Sequence, residues 1–466
     1  MIKTNNIDID SRTLFLLLII AGVTFLGGIF ITKVSTGVAF FTIAAVIIFV
    51  VSFLSAEVAL YVLIFSMLLS PEFIVGDLLG KSTGGRGITL RFDDILLVII
   101  GFSWFLKTAI KKELGLFKKT PLNRPIAYYF VICLIATLFG FMMGRVMGLT
   151  GFFFVLKYFE YFIVYFMVVN HLREKRQIER FVAVMLIVCF VVCLVAIFQI
   201  PAGGRVSAPF EGEIGEPNTL GGYLILMLSI ILGLLLTYGS KKQKGLFAIL
   251  AFFIVISLMA TLSRASWLAL GPMLLTLIYF SKRKMVIIVP LIVMLLLSPF
   301  VLPHAVKERA LFTFTQPRES GQMEIGGTRI DTSTSARLTS WKIVVTRDFI
   351  NHPILGYGVT GYAFLDAQYP RVLAETGLAG LVAFLFLLVA IYRNALHTYR
   401  NTSDPLFSGL SLGYLAGFVA MFVHSIGANT FIIVRIMEPF WFLTAIIIMI
   451  PTIEAGEVKV DMPVKN

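Results

Sequence analysis

Long apolar runs alternate with short polar patches along almost the whole chain. Most of these runs are about 18–20 residues long, the length at which an α-helix crosses the hydrocarbon core of a bilayer. The pattern therefore predicts an all-α, polytopic membrane bundle of about 12–14 transmembrane helices. The fourteen runs are 13–32, 35–54, 58–76, 93–110, 125–143, 150–170, 181–199, 219–238, 245–263, 265–280, 284–302, 377–392, 406–424 and 430–450.

One long polar segment interrupts this alternation, and it predicts a large loop. It begins with the stretch RESGQMEIGGTRIDTSTS, whose Gly, Ser and Thr content is typical of a flexible connection. A short amphipathic helix should follow, capped by Ser333 or Ser335. Its apolar face would contain Leu338, Trp341, Val345 and Phe349. The predicted organisation is helices 1–11 in residues 1–302, the loop in 303–376, helices 12–14 in 377–450 and a cytoplasmic tail in 451–466.

The distribution of basic residues predicts the orientation of the chain. With the N-terminus in the cytoplasm, every basic cluster falls in a cytoplasmic loop, as the positive-inside rule requires. We therefore expect a multi-pass protein of a bacterial inner membrane with both termini in the cytoplasm and the large loop outside. The clusters are Lys107–Arg124, Arg173–Arg180, Lys241–Lys244, Lys282–Lys284 and Arg393–Arg400.

Composition supports the membrane assignment and narrows the chemistry. The chain has 466 residues, of which 58% are hydrophobic and 14% charged, against roughly 25% charged in soluble domains. The net charge of +13 comes mostly from the topological patches, so nucleic-acid binding is excluded. Cys133, Cys189 and Cys193 all lie inside apolar runs without metal-ligand spacing, so neither a metal nor another cofactor is expected. The first apolar run lacks a small-residue cleavage site, which predicts a retained span.

Isolated arginines at the outer ends of the predicted helices are the first candidates for binding. An arginine in apolar surroundings costs roughly 2.5–3.5 kcal/mol on insertion scales. Arg264 lies in a hairpin too short to need a charge, and Arg205 directly follows a predicted span. The planar guanidinium makes two parallel hydrogen bonds to phosphate and keeps its proton. These residues therefore favour an anionic ligand, with snorkelling to lipid headgroups as the alternative.

Further charges lie inside the predicted helices and in the outer loops. Lys157 with Glu160, and Arg435 with Glu438, are three residues apart, so each pair shares a helix face and can neutralise itself. Arg435 lies at a depth suited to the same site as Arg264. A proton- or ion-coupled transporter would also use such charges and stays an open alternative. The acids that could act as bases are Glu211, Glu213, Glu216, Asp366 and Glu375.

Four motifs, in this order, resemble the O-antigen ligase and polymerase superfamily. They are RVSAPFEGEIGEPNTLGGYL, SRASWLAL, ARLTSWKIVVTRDFINHPILGYG and DAQYPRVLAETGLAGL. The resemblance covers roughly residues 150–450. It implies a GT-C-like membrane glycosyltransferase that uses a sugar chain carried on undecaprenyl pyrophosphate. The expected partners are that lipid-linked oligosaccharide, membrane lipid, a chain-length regulator and a flippase.

The resemblance also implies roles for individual residues. Arg205 and Arg264 would hold the pyrophosphate, and Arg337 matches another arginine of the family's outer loop. Arg435, from its depth in the last span, is a further candidate for binding the pyrophosphate or glycan. Asp366 would act as general base on the acceptor hydroxyl or orient it, and Glu375 is the other candidate catalytic acid. Tyr369 would stack on a sugar. Lipid A core ligases carry a His-Asn pair nine residues before the Glu of the ETG motif, where this chain has Asp366 and Ala367. The variant resembles the Asp-containing polymerases, so we expect a polymerase of exopolysaccharide or O-antigen repeats. A lipid A core ligase and a polysaccharide flippase are the alternatives.

Overall fold

A bundle of apolar helices forms the protein, as the hydropathy pattern predicts. The structure, a computed structural model, describes residues 46–75, 88–110, 118–146, 150–211 and 215–461. The only strands in these residues form two short antiparallel hairpins, β1 (Glu72–Val75) with β2 (Ile88–Arg91) and β3 (Glu324–Ile325) with β4 (Thr328–Arg329). The helices are α1 (Ala56–Leu69), α2 (Phe92–Ile110), α3 (Asn123–Met142), α4 (Thr150–His171), α5 (Lys175–Gln199), α6 (Pro217–Thr237), α7 (Lys241–Ala260), α8 (Arg264–Phe280), α9 (Met285–Val301), α10 (His304–Thr315), α11 (Thr332–Ile343), α12 (Phe349–Asn351), α13 (Gln368–Asn401), α14 (Pro405–His424) and α15 (Val434–Asp461).

Eight of the described helices are long and apolar enough to cross a membrane, or nine if α9 and α10 form one bent span. The chain is therefore a multi-pass membrane protein. Predicted spans 13–32 and 35–54 lie outside the described residues, apart from 46–54, which are helical. The run 58–76 differs from the prediction because α1 ends at Leu69 and the next residues pair as β1. Helix α15 continues to Asp461, well into the predicted tail.

Helices α6 and α14 form the centre of the bundle and are almost entirely buried. Glycines make their close approach possible: a Cβ on Gly233 would lie 2.3 Å from the carbonyl oxygen of Gly409 and 2.5 Å from the nitrogen of Gly413. Small residues let helix backbones pack closely in this way inside membranes. Helix α8 packs on α14, so the start of α8 rests on the rigid centre of the bundle.

The connection between α7 and α8 is a tight turn. Leu262 has a φ of 49°, a left-handed conformation that costs a non-glycine residue roughly 1–2 kcal/mol. Ser263 caps α8, because its Oγ accepts a hydrogen bond of 3.4 Å from the nitrogen of Ser266. The turn therefore places Arg264 at the first position of α8.

The long connection between α9 and α13 contains several short elements. Helices α9 and α10 meet at 94°. The predicted amphipathic helix is present as α11, but the predicted cap is wrong: Asp331, not Ser333 or Ser335, accepts hydrogen bonds from the nitrogens of Ser333 (3.1 Å) and Thr334 (3.2 Å). A carboxylate satisfies two of the unpaired N–H groups and also complements the helix dipole. Ser335 is buried, and its Oγ accepts a hydrogen bond from the nitrogen of Met323 (2.8 Å).

Two backbone irregularities complete this connection. After α11 the chain forms a π-helical turn, Val344–Asp348, which changes the phase of the predicted apolar face. Leu338 and Val345 of that face are exposed, whereas Val344 is fully buried. Helix α13 is broken at Gly377, where φ is 64° and ψ is −164°. This break lets residues 368–376 lie in a different direction from the membrane-spanning part of α13.

Candidate active site at the α7–α8 turn

Arginines from three distant parts of the sequence meet at the α7–α8 turn. The Nε of Arg205 donates to the carbonyl of Thr261 (3.1 Å), and the Nε of Arg309 donates to the carbonyl of Leu262 (3.4 Å). Arg264 begins α8 two residues later. The sequence singled out Arg205 and Arg264, but it did not single out Arg309, which lies in a short polar helix with ordinary spacing.

The charges of these arginines reinforce one another. Burial and the nearby positive charges of Arg309, Arg264 and Arg337 lower the pKa of Arg205 to about 10. Arg205 still stays protonated at neutral pH, because that value lies well above 7. We call Arg205, Arg264, Arg309 and Arg337 the arginine cluster; two of its four guanidinium groups are paired with carboxylates, those of Asp331 and Asp366. The positive field of the cluster favours an anion.

Arg264 is held by a residue that the sequence did not single out, Asp331. The two guanidinium nitrogens each lie 2.8 Å from an oxygen of Asp331, and one also donates to Thr313 (2.7 Å). Burial of Asp331 opposes its ionisation, but hydrogen bonds from Arg264 and Thr334 lower its pKa to about 2. The ion pair therefore contributes to stability at neutral pH, and that contribution is lost only as the pH falls towards 2.

The second ion pair joins Arg337 to Asp366, the predicted base. Arg337 Nη2 lies 2.8 Å from Asp366 Oδ2, and 47% of the Asp366 side chain is exposed. Asp366 therefore combines an accessible carboxylate with a neighbour in the arginine cluster. Because Arg337 is on α11 and Asp366 precedes α13, the pair also ties the two halves of the connection together.

Tyr369, the predicted sugar-stacking residue, lies near this pair on α13. Its hydroxyl donates to the carbonyl of Phe422 (2.7 Å) and accepts from Ser425 (2.8 Å). Its ring centroid is 6.1 Å from that of Trp341 on α11. The hydroxyl is thus engaged in the bundle, and the ring also packs on Phe422 and Phe384, with centroids 5.4 Å and 6.4 Å away. Stacking of Tyr369 on a sugar therefore stays a prediction.

A chain of hydrogen bonds lies behind the first residue of α8. Nδ1 of His424 is 2.7 Å from Oγ1 of Thr430, and Nε2 is 3.1 Å from Oγ of Ser266. Ser266 in turn donates to Ser263 (2.8 Å), the cap of α8. His424 is fully buried, so this chain links the end of α14 to the turn that carries Arg264.

The part of the chain that contains the α7–α8 turn is similar to a known protein family. Residues 249–385 match the family model described as O-Antigen ligase. These residues belong to the O-antigen ligase/polymerase superfamily. No curated protein matches the chain with significant similarity. The ligase match supports a membrane enzyme of the glycosyl-transfer type, and it confirms the superfamily resemblance of the motifs.

The ligase segment contains most of the site. Arg264, Arg309, Asp331, Arg337 and Asp366 all fall within residues 249–385. Arg205 lies before the matched region but reaches its turn through Thr261. In the described residues, no group of three or more His, Cys, Asp or Glu side chains is arranged to hold a metal ion.

Glu375, the second predicted catalytic acid, is also in the ligase segment but makes other contacts. Its Oε1 accepts hydrogen bonds from Nε of Arg371 (3.1 Å) and from the nitrogen of Thr360 (3.3 Å). It is largely buried, and its charge acts on Cys133 of α3 and Tyr158 of α4. These contacts hold the 356–361 loop against α13, so we assign Glu375 a positioning role as a proposal.

Arg435 lies outside the ligase segment and is fully enclosed. Its guanidinium donates to the carbonyls of Leu68 (3.0 Å), Pro209 (2.8 Å) and Ser70 (3.1 Å). Its Nε is 3.9 Å from a carboxylate oxygen of Glu211. Only 1% of Arg435 is exposed. These contacts favour a structural role over the predicted binding of pyrophosphate.

The acids that follow Arg205 shape a loop. Oε2 of Glu211 accepts hydrogen bonds from the nitrogens of Ala208 (3.3 Å) and Glu216 (2.9 Å). Glu213 lies outside the described residues. Glu211 therefore closes the loop between α5 and α6, and Asp366 is the more accessible acid near the arginine cluster.

Proposed function

We propose that the protein is a glycosyltransferase that polymerises undecaprenyl-pyrophosphate-linked oligosaccharide repeats at the outer face of a bacterial inner membrane. The observation that carries the proposal is the arginine cluster at the end of a membrane bundle, with the accessible carboxylate of Asp366 beside it. The orientation follows the positive-inside distribution of Lys and Arg. Both termini would then be cytoplasmic, with a flippase and a chain-length regulator as partners.

The residues suggest a division of labour. The acceptor hydroxyl oxygen attacks the anomeric carbon of the donor, and the bond from that carbon to the pyrophosphate oxygen breaks. Asp366 takes the hydroxyl proton. Arg264 and Arg205 stabilise the negative charge that develops on the leaving lipid pyrophosphate. Because Arg264 is bound to Asp331 in the structure, the phosphate would take the place of the carboxylate or share the guanidinium with it.

The residue at position 366 favours polymerase over lipid A core ligase. An aspartate stands where those ligases carry histidine, and it is already oriented by Arg337. A carboxylate can take the proton of the acceptor hydroxyl directly, which is the role of a general base. The ligase alternative requires a different acceptor at the same site, so the acceptor decides between them.

The test is chain growth by the purified full-length protein in nanodiscs, with an undecaprenyl-pyrophosphate oligosaccharide from the host's own pathway. We expect a ladder of lengthened lipid-linked products on a gel. Transfer only to added lipid A core would replace the polymerase with the ligase. Movement of labelled lipid across the bilayer without any new glycosidic bond would replace the enzyme with a transporter.

Asp366→Asn should lower the rate of chain growth about 10²- to 10⁴-fold, the usual contribution of general-base catalysis. The amide keeps the shape of the side chain but cannot take the proton. Donor binding should change little, because Arg264 and Arg205 remain. Glu324→Gln, an exposed acid of the same connection, is the control. A normal rate in Asp366→Asn would remove the residue from the catalytic role.

A further inference from the structure

A second group of buried charges, separate from the arginine cluster, lies at the end of β2 and on helices α2, α4 and α15. Arg91 Nη2 is 2.8 Å from Asp93 Oδ2 and 3.8 Å from Asp94 Oδ1. Lys157 on α4 pairs with Asp94 and lies 3.5 Å from Glu160 Oε2. These side chains range from fully buried to about 12% exposed. We call the group, together with Glu438 on α15, the buried acid cluster.

Glu438 is the unusual member of the buried acid cluster. Its side chain is fully buried, and neither carboxyl oxygen has a hydrogen-bond partner among the described residues. The charges that act on it come from Asp93, Arg91, Glu160 and Asp94, so three of the four are acids. The neighbouring arginine on its own helix, Arg435, donates to backbone carbonyls. Arg91, the positive charge among these four, already pairs with Asp93 at 2.8 Å.

The charge balance of the cluster requires bound protons. Arg91 compensates Asp93, and Lys157 compensates Asp94, which leaves Glu160 and Glu438 as excess negative charges if every acid is ionised. An uncompensated buried carboxylate is strongly unfavourable, and a neighbouring like charge adds to that cost. Such groups take up a proton instead. Protonation explains why neither oxygen of Glu438 has a hydrogen-bond partner, because a neutral carboxyl group tolerates an apolar environment far better than a carboxylate.

We propose that the buried acid cluster is a proton-binding site and that Glu438 is protonated at neutral pH. A second proton would relieve the remaining excess charge at Asp94 and Glu160, which share the single ammonium group of Lys157. A metal ion would be the other way to balance the charge. The described residues contain no arrangement of three or more ligating side chains for one, and the two cations already in the cluster would repel it.

The buried acid cluster is linked through helix α15 to the loop before α6. Glu438 lies one helical turn beyond Arg435, whose guanidinium holds the carbonyls of Ser70 and Pro209. The proton favours the packing of α15 on α4, because an ionised Glu438 would be repelled by Asp93 and Glu160. The folded protein thus binds this proton more tightly than the unfolded chain, so stability should fall as the pH rises.

Infrared spectroscopy of the full-length protein tests the proposal directly. The protein is labelled with glutamate carrying ¹³C in the side-chain carboxyl and purified in a detergent without ester groups. At neutral pH the wild type should show a carbonyl band of protonated glutamic acid that shifts with the label. Glu438→Gln should lose that band, whereas Glu160→Gln and the exposed control Glu324→Gln should retain it.

The outcomes are distinct and do not depend on enzyme activity. No isotope-sensitive carbonyl band in the wild type would overturn the proposal, even if Glu438→Gln did not fold. Loss of the Glu438 band in Glu160→Gln would move the proton to the other acid and also overturn it. The melting temperature is also measured in sodium, potassium and choline salts. If sodium or potassium raises it relative to choline, and only in proteins that keep Glu438, the site binds a metal cation and not a proton. A melting temperature that falls with rising pH in the wild type, but not in Glu438→Gln, would support the proton.

Discussion

Replacing Arg264 with alanine is expected to slow chain growth at least about 10²- to 10³-fold, the effect of removing one group that stabilises developing charge. Arg264 sits at the first position of α8, where the helix dipole adds to its positive charge. It is also the only arginine of the cluster whose two terminal nitrogens both contact one carboxylate in the described residues. A phosphate that replaced that carboxylate would meet two parallel donors.

A simple loss of activity would not be enough, because Arg264→Ala also leaves Asp331 without its partner. Removal of one member of a buried ion pair costs about 3–5 kcal/mol, so the variant could be inactive because it unfolds. The double variant Arg264→Ala with Asp331→Asn separates the two effects. Asparagine keeps the cap of α11 and carries no charge, so the melting temperature should recover while the activity stays low.

Two further variants are compared with the wild type for donor affinity and chain-growth rate. Asp331→Asn alone frees Arg264 and should raise the affinity for the lipid-linked donor. Arg318→Ala, an exposed arginine of the same connection, should change neither quantity. If the double variant recovers both stability and activity, Arg264 has only a structural role and the pyrophosphate assignment is wrong.

Much of this site could be predicted from local sequence. Arg264 stood out because a charge in so short a hairpin between two apolar runs has no topological use. Arg205 stood out for the same reason at the end of α5. Arg337 emerged only through the family resemblance, and Asp366 was one of five candidate acids until the resemblance singled it out, since loop acids and loop arginines are common on any polar surface.

The partners of these residues could not be predicted from local sequence. Asp331 is 67 residues from Arg264 along the chain, and only the fold of the long connection brings them together. Its position before Thr-Ser-Thr was nevertheless a usable signal, because aspartate is a strong N-cap. Arg309 had no signal at all, since its contact with Leu262 depends on the 94° bend between α9 and α10.

The helical bundle itself followed from hydropathy, but the ends of its elements did not. Hydropathy marks apolar residues and does not distinguish a helix from a strand in a short run, which is why residues 72–75 were included in a span. Charged residues at helix ends were similarly assigned to loops, although α15 extends through its polar C-terminal turns. The sequence also could not settle which buried charges pair with each other. Arg435 and Glu438 are three residues apart and were expected to neutralise each other, yet Arg435 donates to backbone carbonyls of other segments.

Arg435→Met should reduce stability strongly without a specific effect on catalysis. The change leaves the carbonyls of Leu68, Ser70 and Pro209 without this donor and removes the guanidinium that lies 3.9 Å from Glu211. The loss of a buried charged partner costs about 3–5 kcal/mol. We therefore expect a large drop in melting temperature, while the chain-growth rate per folded molecule stays close to that of the wild type.

This result would separate Arg435 from Arg264, although both were predicted to bind pyrophosphate. Arg435→Lys keeps the charge but cannot reach several carbonyls with one ammonium group, so its melting temperature should fall between those of the wild type and Arg435→Met. If Arg435→Met instead melts normally and loses donor affinity, the guanidinium reaches the substrate in the working enzyme. The segment around Pro209 and Glu211 would then have to move during the reaction, because in the structure both residues contact Arg435, of which 1% is exposed.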